Sequence, residues 1–504
     1  MALGAGTLTK TGTSTITMAT ANTYTGATTI NGGTLKITNA TGLGAANGGA
    51  VTVNNGGTLD VQTGIGNKPI VLAAGSTLAN SSAGGISLGG TVTLNGTATI
   101  NAAGNIVMSG VISGSGGINK TGVSTVTLQG ANTFNGGINV AQGGLTSMAA
   151  SVLNGSGNAI SGGFGAGNNV TMSGGTLTVS STSTINSLSG TSGTVNVNSS
   201  LSFGGDNSST TYSGTFGGTS QLIKNGTGTF TNGGTGLNNV IFTINNGVMK
   251  LNHANAGTNS SFTIGANGTL DLNGFSAGAS GTGTAHIQGS GFNGQGAIIN
   301  SSAAASIFIG GNMYWDSFSD FLINTQNGQI SFYSTTQKSG STPTIVKTGP
   351  GTLNTINLSG TSAFIPSAFN IQQGTAIIGN TLTGTHLLNV NVESGANANI
   401  SLSGTQTYSG IISGGGNVSY IRGTITLTGN NTYSGQTTID GASVLPGYST
   451  HYTNGVIDYS LAPDRRAGLA PDRRAELAPE ASGFSTSART ALSETNNFKP
   501  VNLQ

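Results

Sequence analysis

Few residues in this chain have side chains suited to catalysis or metal binding, and their spacing limits what they could do. The densest group is Met313-Tyr314-Trp315-Asp316-Ser317-Phe318-Ser319-Asp320-Phe321, which holds the only tryptophan. Asp316 and Asp320 stand four apart, so on a helical turn their carboxylates would share a face. With Trp315 beside them they could line a carbohydrate-binding or calcium-binding loop. Trp315, Asp316 and Asp320 are therefore the candidate ligand-binding residues. The blander expectation is a non-repeating turn of the fold or a hydrophobic plug, because aromatic side chains serve burial first.

The remaining ionisable residues are dispersed. Asp60, Asp206, Asp271, Glu393 and Asp440 stand far apart in the chain, and a polysaccharide-cleaving site would need clustered acids for calcium or acid/base work. His253, His286, His386 and His451 show no metal-ligand spacing. No G-x-S-x-G elbow stands at a strand-to-helix turn. The string Gly162-Gly163-Phe164-Gly165-Ala166-Gly167 lacks the following helix that a phosphate cradle requires. The chain has no cysteine, so disulfides and thiolate metal sites are excluded. These observations assign no catalytic residue, no metal and no cofactor, and the expectation is a protein that is not an enzyme. Net charge is +2 without a basic stripe, which argues against a nucleic-acid partner.

Four lysines share a local pattern: Leu8-Thr9-Lys10-Thr11-Gly12, Ile118-Asn119-Lys120-Thr121-Gly122, Leu222-Ile223-Lys224-Asn225-Gly226 and Ile345-Val346-Lys347-Thr348-Gly349. They could form a basic line for an anionic polysaccharide. The favoured expectation is exposed lysines at corners, where charge discourages strand edges from pairing. Tyr24, Phe134 and Tyr433 recur in a second pattern. They could stack on sugars, but rings that pack against the fold or fill a corner are expected.

The elements that would position these residues are set by repetition. Gly4 to Leu35 returns without a gap as Gly114 to Leu145. It returns again near the end as Thr424-Ile425-Thr426-Leu427, Asn431-Thr432-Tyr433-Ser434-Gly435 and Thr437-Thr438-Ile439, this time without the lysine. In Thr125-Val126-Thr127-Leu128 the apolar side chains fall on one face and the threonines on the other, which is strand periodicity. Asn31-Gly32-Gly33, Asn55-Gly56-Gly57 and Asn267-Gly268 punctuate as sharp corners, since Gly and Asn tolerate positive φ. Glycine numbers 87 and charged residues only 6%, against about 25% charged in ordinary globular domains. Corner-plus-strand units such as Gly57-Thr58-Leu59-Asp60-Val61 and Gly268-Thr269-Leu270-Asp271-Leu272 recur every 19 to 24 residues where successive units can be followed, about one turn of a parallel β-solenoid. One such turn cannot bury its apolar face alone, whereas stacked turns share a core. Residues 1–445 would give on the order of 20 turns, about 100 Å long. The Thr-x-Thr units also raise an ice-binding solenoid, but that surface needs equal turns and these vary.

The order Y-S-G-x-I-x-G-x-G, L-x-K-x-G, T-L-T-L-x-G-x-N-T-Y-x-G, T-x-I and G-x-L resembles the autotransporter-associated β-strand repeat, also known as the passenger-associated transport repeat, of type V secreted bacterial proteins. Full copies cover about a quarter of the chain. The resemblance implies an all-β, right-handed parallel β-helix over residues 1–445, displayed at the cell surface or released outside a Gram-negative cell. It implies a non-catalytic stalk or adhesin-like scaffold whose repeats support passenger folding and transport. Host-surface or matrix glycans or proteins are the implied partners of a monomer. A polysaccharide-binding or polysaccharide-cleaving β-helix is the alternative.

Other parts expected of such a protein are not visible. The first residues show no secretory signal, and no translocator barrel follows. No stretch is apolar enough for a membrane helix. The expectation is a passenger fragment or a truncated reading frame. Residues 446–504 change character: Leu461-Ala-Pro-Asp-Arg-Arg-Ala-Gly468 repeats as Leu469-Ala-Pro-Asp-Arg-Arg-Ala-Glu476. Proline every eight residues opposes both ladder and long helix, so a low-complexity, disordered tail is expected there.

Overall fold

Threonine-rich alternation and glycine corners produce short strands stacked in register. The architecture comes from a computed structural model. It describes residues 4–154, 158–235, 240–254, 256–257, 260–315, 320–338, 344–358, 368–380, 385–386, 388–440, 442–446 and 501–502. The chain divides into two compact units, Met1–Ala256 and Gly257–Gln504. Each is a parallel β-solenoid, with about 18 turns in all. No α-helix occurs among the described residues. Of the tail from residue 447 onward, only Val501–Asn502 is described, paired antiparallel with Ala442–Pro446; the rest of the expected disordered segment lies outside the described residues.

In the first unit most strands are three to five residues long, and each pairs with its equivalent one turn away. One interior stack runs Leu35, Leu59, Leu78, Ile100, Lys120, Val140, Met172. Another runs Lys10, Ile30, Val53, Leu72, Leu94. The apolar members of both stacks are buried. Stacking is what buries them. Val126 sits between Ile106 and Leu145 and is 0% exposed, whereas Ile16, at the same point of the repeat, pairs with Leu35 alone and is 47% exposed.

The step from Val140 to Met172 is longer than its neighbours and contains an antiparallel strand pair, Val152–Leu153 with Ala159–Ser161. Val152, Leu153 and Ile160 on this pair, and Met148 just before it, are about half exposed.

The second unit uses longer strands. Ala277–Ile287, Ser306–Trp315 and Ile330–Lys338 pair in parallel. Asn397–Tyr408 pairs with Asn417–Leu427, and that strand with Ala442–Pro446. A second ladder passes through Ile298, Ile323, Lys347, Ile371 and Val392.

Candidate functional site

Period-two alternation decides where the four lysines point. Each lies two residues after an apolar position on a strand, so it faces the interior. The register places apolar neighbours on the adjoining turns: Ile30 beside Lys10, Ile100 and Val140 around Lys120, Phe203 and Ile244 around Lys224, Ile323 and Ile371 around Lys347. All four lysines are at most 2% exposed. The expectation of exposed corner lysines is therefore wrong. Strand alternation outweighs charge because the corner supplies the ammonium with carbonyl oxygens.

The cage is the same at every copy. Lys10 Nζ donates to Thr11 O at 2.7 Å, Gly12 O at 2.9 Å and Gly32 O at 3.0 Å. Lys120 Nζ donates to Thr121 O at 2.8 Å, Gly122 O at 2.9 Å and Gln142 O at 2.9 Å. Lys224 Nζ reaches Asn225 O, Gly226 O and Asn246 O, the last at 3.3 Å. Lys347 Nζ reaches Thr348 O, Gly349 O and Gln373 O, at 2.9, 2.7 and 2.7 Å. Two acceptors belong to the lysine's own corner and the third to the corner of the next turn. An ammonium has three donors, and all three are used.

Glycine makes the corner possible. Gly122 has φ +75°, and a Cβ there would meet Ala102 O at 2.5 Å. Gly143, on the next turn, has φ +66°, and its Cβ would meet Gly122 O at 2.3 Å. The glycine of K-x-G and the positive-φ glycine of the next turn (Gly33, Gly143, Gly247, Gly374) are thus the two halves of one inter-turn contact.

Burial works against the ammonium. Desolvation lowers the pKa of Lys120 and Lys224 to about 8 and that of Lys347 to about 7; the charge of Asp206 partly opposes the shift at Lys224. Charge-assisted hydrogen bonds contribute roughly 1.5–3 kcal/mol each, and desolvating an ion costs several kcal/mol. The two terms are comparable, so what the cage gains is mainly a fixed register between neighbouring turns.

A second corner carries the recurring aromatics. Tyr24, Phe134 and Tyr433 are each 0% exposed, as expected of corner-filling rings. Tyr24 Oη is 2.8 Å from Thr28 Oγ1, and Tyr433 Oη is 2.7 Å from Thr437 Oγ1. Where the ring is Phe134, the residue four positions on is the buried Ile138. The preceding asparagines cross between turns. Asn132 Nδ2 donates to Gly163 O and its Oδ1 accepts from Ile112 N–H; Asn431 Oδ1 accepts from Ile412 N–H in the same way.

The other candidate residues do not converge. Trp315 ends the Ser306–Trp315 strand, which is one of the ladder's own strands rather than an interruption of it. Asp316 lies outside the described residues, and Asp320 is exposed just before Phe321–Asn324. Tyr314 stacks on His286 at 4.4 Å with the rings 1° from parallel. Asp60 and Asp271 are buried and tie successive turns by accepting from the backbone N–H and hydroxyl of Ser81 and Ser301 respectively. Among the described residues, no group of three or more His, Cys, Asp or Glu side chains could hold a metal ion. No helix among them is long and apolar enough to cross a membrane.

The family model of the passenger-associated transport repeat matches residues 4–37, 118–146 and 423–445. The chain thus carries the repeat of autotransporter passengers, and its solenoid fits a passenger scaffold. No curated protein and no solved structure matches the chain.

Proposed function

We propose that the chain is a non-catalytic autotransporter passenger, exposed at the cell surface or secreted. It acts as a stalk or adhesin-like scaffold whose repeats support its own folding and transport. The observation that carries this reading is a coincidence of segments. The first two repeat matches each enclose a complete lysine cage: Lys10 with residues 11, 12 and 32, and Lys120 with residues 121, 122 and 142. A lysine held by its own corner offers its third donor to the next turn. Each completed turn therefore prepares the seat of its successor, and nearest-neighbour stacking lets folding propagate along the array. Folding that advances turn by turn would oppose slippage back through an export pore. A surface role and partners among host or matrix glycans and proteins agree with the family's location.

The test is display. The full chain is given a secretory leader and a translocator barrel and expressed in a Gram-negative host. Surface protein is measured by antibody labelling and protease accessibility. A variant with Lys10, Lys120, Lys224 and Lys347 all changed to Met should be synthesised normally but displayed several-fold less. Equal display of parent and variant would discard the role of the cages in export, and absence of parental display would discard the passenger reading.

A further inference from the structure

Two adjoining cavities open on the first unit, the second of them lined in part by Leu153 and Asn158. One, of about 440 Å³, is lined by Asn135, Asn169 and Asn186. The other, of about 560 Å³, continues past Asn186 to Leu153 and Phe203. Asn186 lines both, so the two cavities adjoin there and are taken together as a cleft.

The cleft follows the stacking of turns. Its polar lining residues pair across successive turns, Asn139 with Thr171 on one side and Thr184 with Ser202 on the other. Each step along a ladder is about 4.8 Å. A ligand lying in the cleft meets a similar polar surface again at every step, which suits a linear repeating polymer better than a compact metabolite.

Its chemistry is uncharged. No Lys, Arg, His, Asp or Glu is among the residues that line either cavity. A charged ligand would lose hydration there without gaining an ionic partner. The side-chain amides of Asn135, Asn169 and Asn186 make no hydrogen bond to another described residue. An amide offers donors and an acceptor together, the pattern that vicinal hydroxyls complement. Leu153, half exposed, adds an apolar face for ring C–H groups.

We propose that this cleft binds a linear, uncharged polysaccharide along the solenoid. The proposal goes beyond the scaffold reading and is separable from it: purified chain can be assayed for binding whether or not it is exported, and a passenger can be displayed without binding sugar. The experiment is affinity electrophoresis of the full chain through gels containing a soluble glucan, a galactomannan or a xylan, with polygalacturonate as the charged comparator. At least one neutral polymer should retard the protein. Asn169→Leu and Asn186→Leu should each weaken that binding at least tenfold, and Asp320→Asn, in the second unit, should leave it unchanged. Asn169 is exposed, so its variant keeps the test valid if Asn186→Leu unfolds. Retardation by polygalacturonate alone, by no neutral polymer, or equally in parent and both cleft variants would overturn the proposal.

Discussion

The corner at Lys120 and the corner at Tyr420 occupy the same point of the repeat and solve it differently. Lys120 pairs with Val140 on the next turn, and Tyr420 pairs with Ile439 at the equivalent place. Both side chains are at most 1% exposed. At Lys120 the chain turns sharply: Ile118–Thr121 ends, Gly122 takes positive φ, and Thr125–Leu128 begins. At Tyr420 the strand is continuous from Asn417 to Leu427, with Gly423 at positive φ inside it. The preceding turn does the same over Asn397–Tyr408. The ammonium is one difference. It gathers two carbonyls of its own corner and one of the next turn, and at Lys224 that third carbonyl, Asn246 O, lies within the continuous strand Ile241–Leu251. The first two repeat matches contain the cage, and the third, residues 423–445, begins after Tyr420.

Removing the amine should have the largest effect. Lys120→Ala leaves three carbonyls without their donor and opens a cavity between Ile100 and Val140. A loss on the order of 2–5 kcal/mol is expected from the cavity and the carbonyls left without a donor. Because an array need not unfold as one unit, the measurement is amide hydrogen exchange. Protection should fall over residues 118–147 and stay unchanged around Asn417–Leu427. Lys120→Tyr sharpens the comparison: if the cage alone keeps the corner open, this variant should recover part of the lost protection. Recovery no better than in Lys120→Ala would show that the neighbouring glycines set the corner by themselves.

The next largest effect is a pH dependence with a definite sign. In the unfolded chain lysines hold their protons to about pH 10.4. Folded Lys347 releases its proton near pH 7, and Lys120 and Lys224 release theirs near pH 8. Between these values the unfolded state binds more protons, so stability rises with pH. Above about pH 10 the trend reverses, because burial raises the Tyr212 and Tyr408 hydroxyls and the folded state then holds more protons. The midpoint of thermal unfolding should climb from pH 7 to about pH 10. The climb should flatten in a variant with Lys120, Lys224 and Lys347 changed to Met; an unchanged slope would mean these three lysines do not titrate as their burial implies.

Much of this was legible in the sequence. The spacing of Leu35, Leu59 and Leu78 foretold the turns, and the structure pairs those residues in register. Corner-filling by Tyr24, Phe134 and Tyr433 was also readable. The lysine cage was readable but misread: in Ile118-Asn119-Lys120 the alternation already sets Lys120 on the buried face with Ile118. What hid it was the rarity of buried lysines, which holds only where no acceptors converge, and the acceptors here are backbone groups with no sequence signature beyond K-x-G. The cleft was not legible at all. Asn135, Asn169 and Asn186 belong to different turns, and only the longer step from Val140 to Met172 places Leu153 beside Asn186.

A smaller effect separates the glycine from the amine. Gly122→Ala puts a methyl at positive φ and against Ala102 O. Strain of this kind costs of order 1–3 kcal/mol. Lys120 remains able to form its cage only if the corner tolerates the change. Exchange protection should therefore drop over the same residues as in Lys120→Ala, but by less. An equal drop would mean that corner and cage form or fail together.

The smallest effect tests the aromatic corner, where the copies differ by one hydroxyl. Tyr24 and Tyr433 each face a threonine four residues on, whereas Phe134 is followed at that distance by Ile138. Phe134→Tyr alone would bury a hydroxyl against Ile138 without a partner, costing roughly 1–3 kcal/mol. Ile138→Thr alone would lose apolar contact and bury a hydroxyl against a bare ring. Together they recreate the pair seen at Tyr24 and Thr28, so the double variant should be more stable than the sum of the single losses, by about 1 kcal/mol of coupling. Additive losses would show that the hydroxyl contact at Tyr24 is incidental. In that case shape alone, a ring filling the corner and any residue of suitable bulk four positions on, would account for the recurrence.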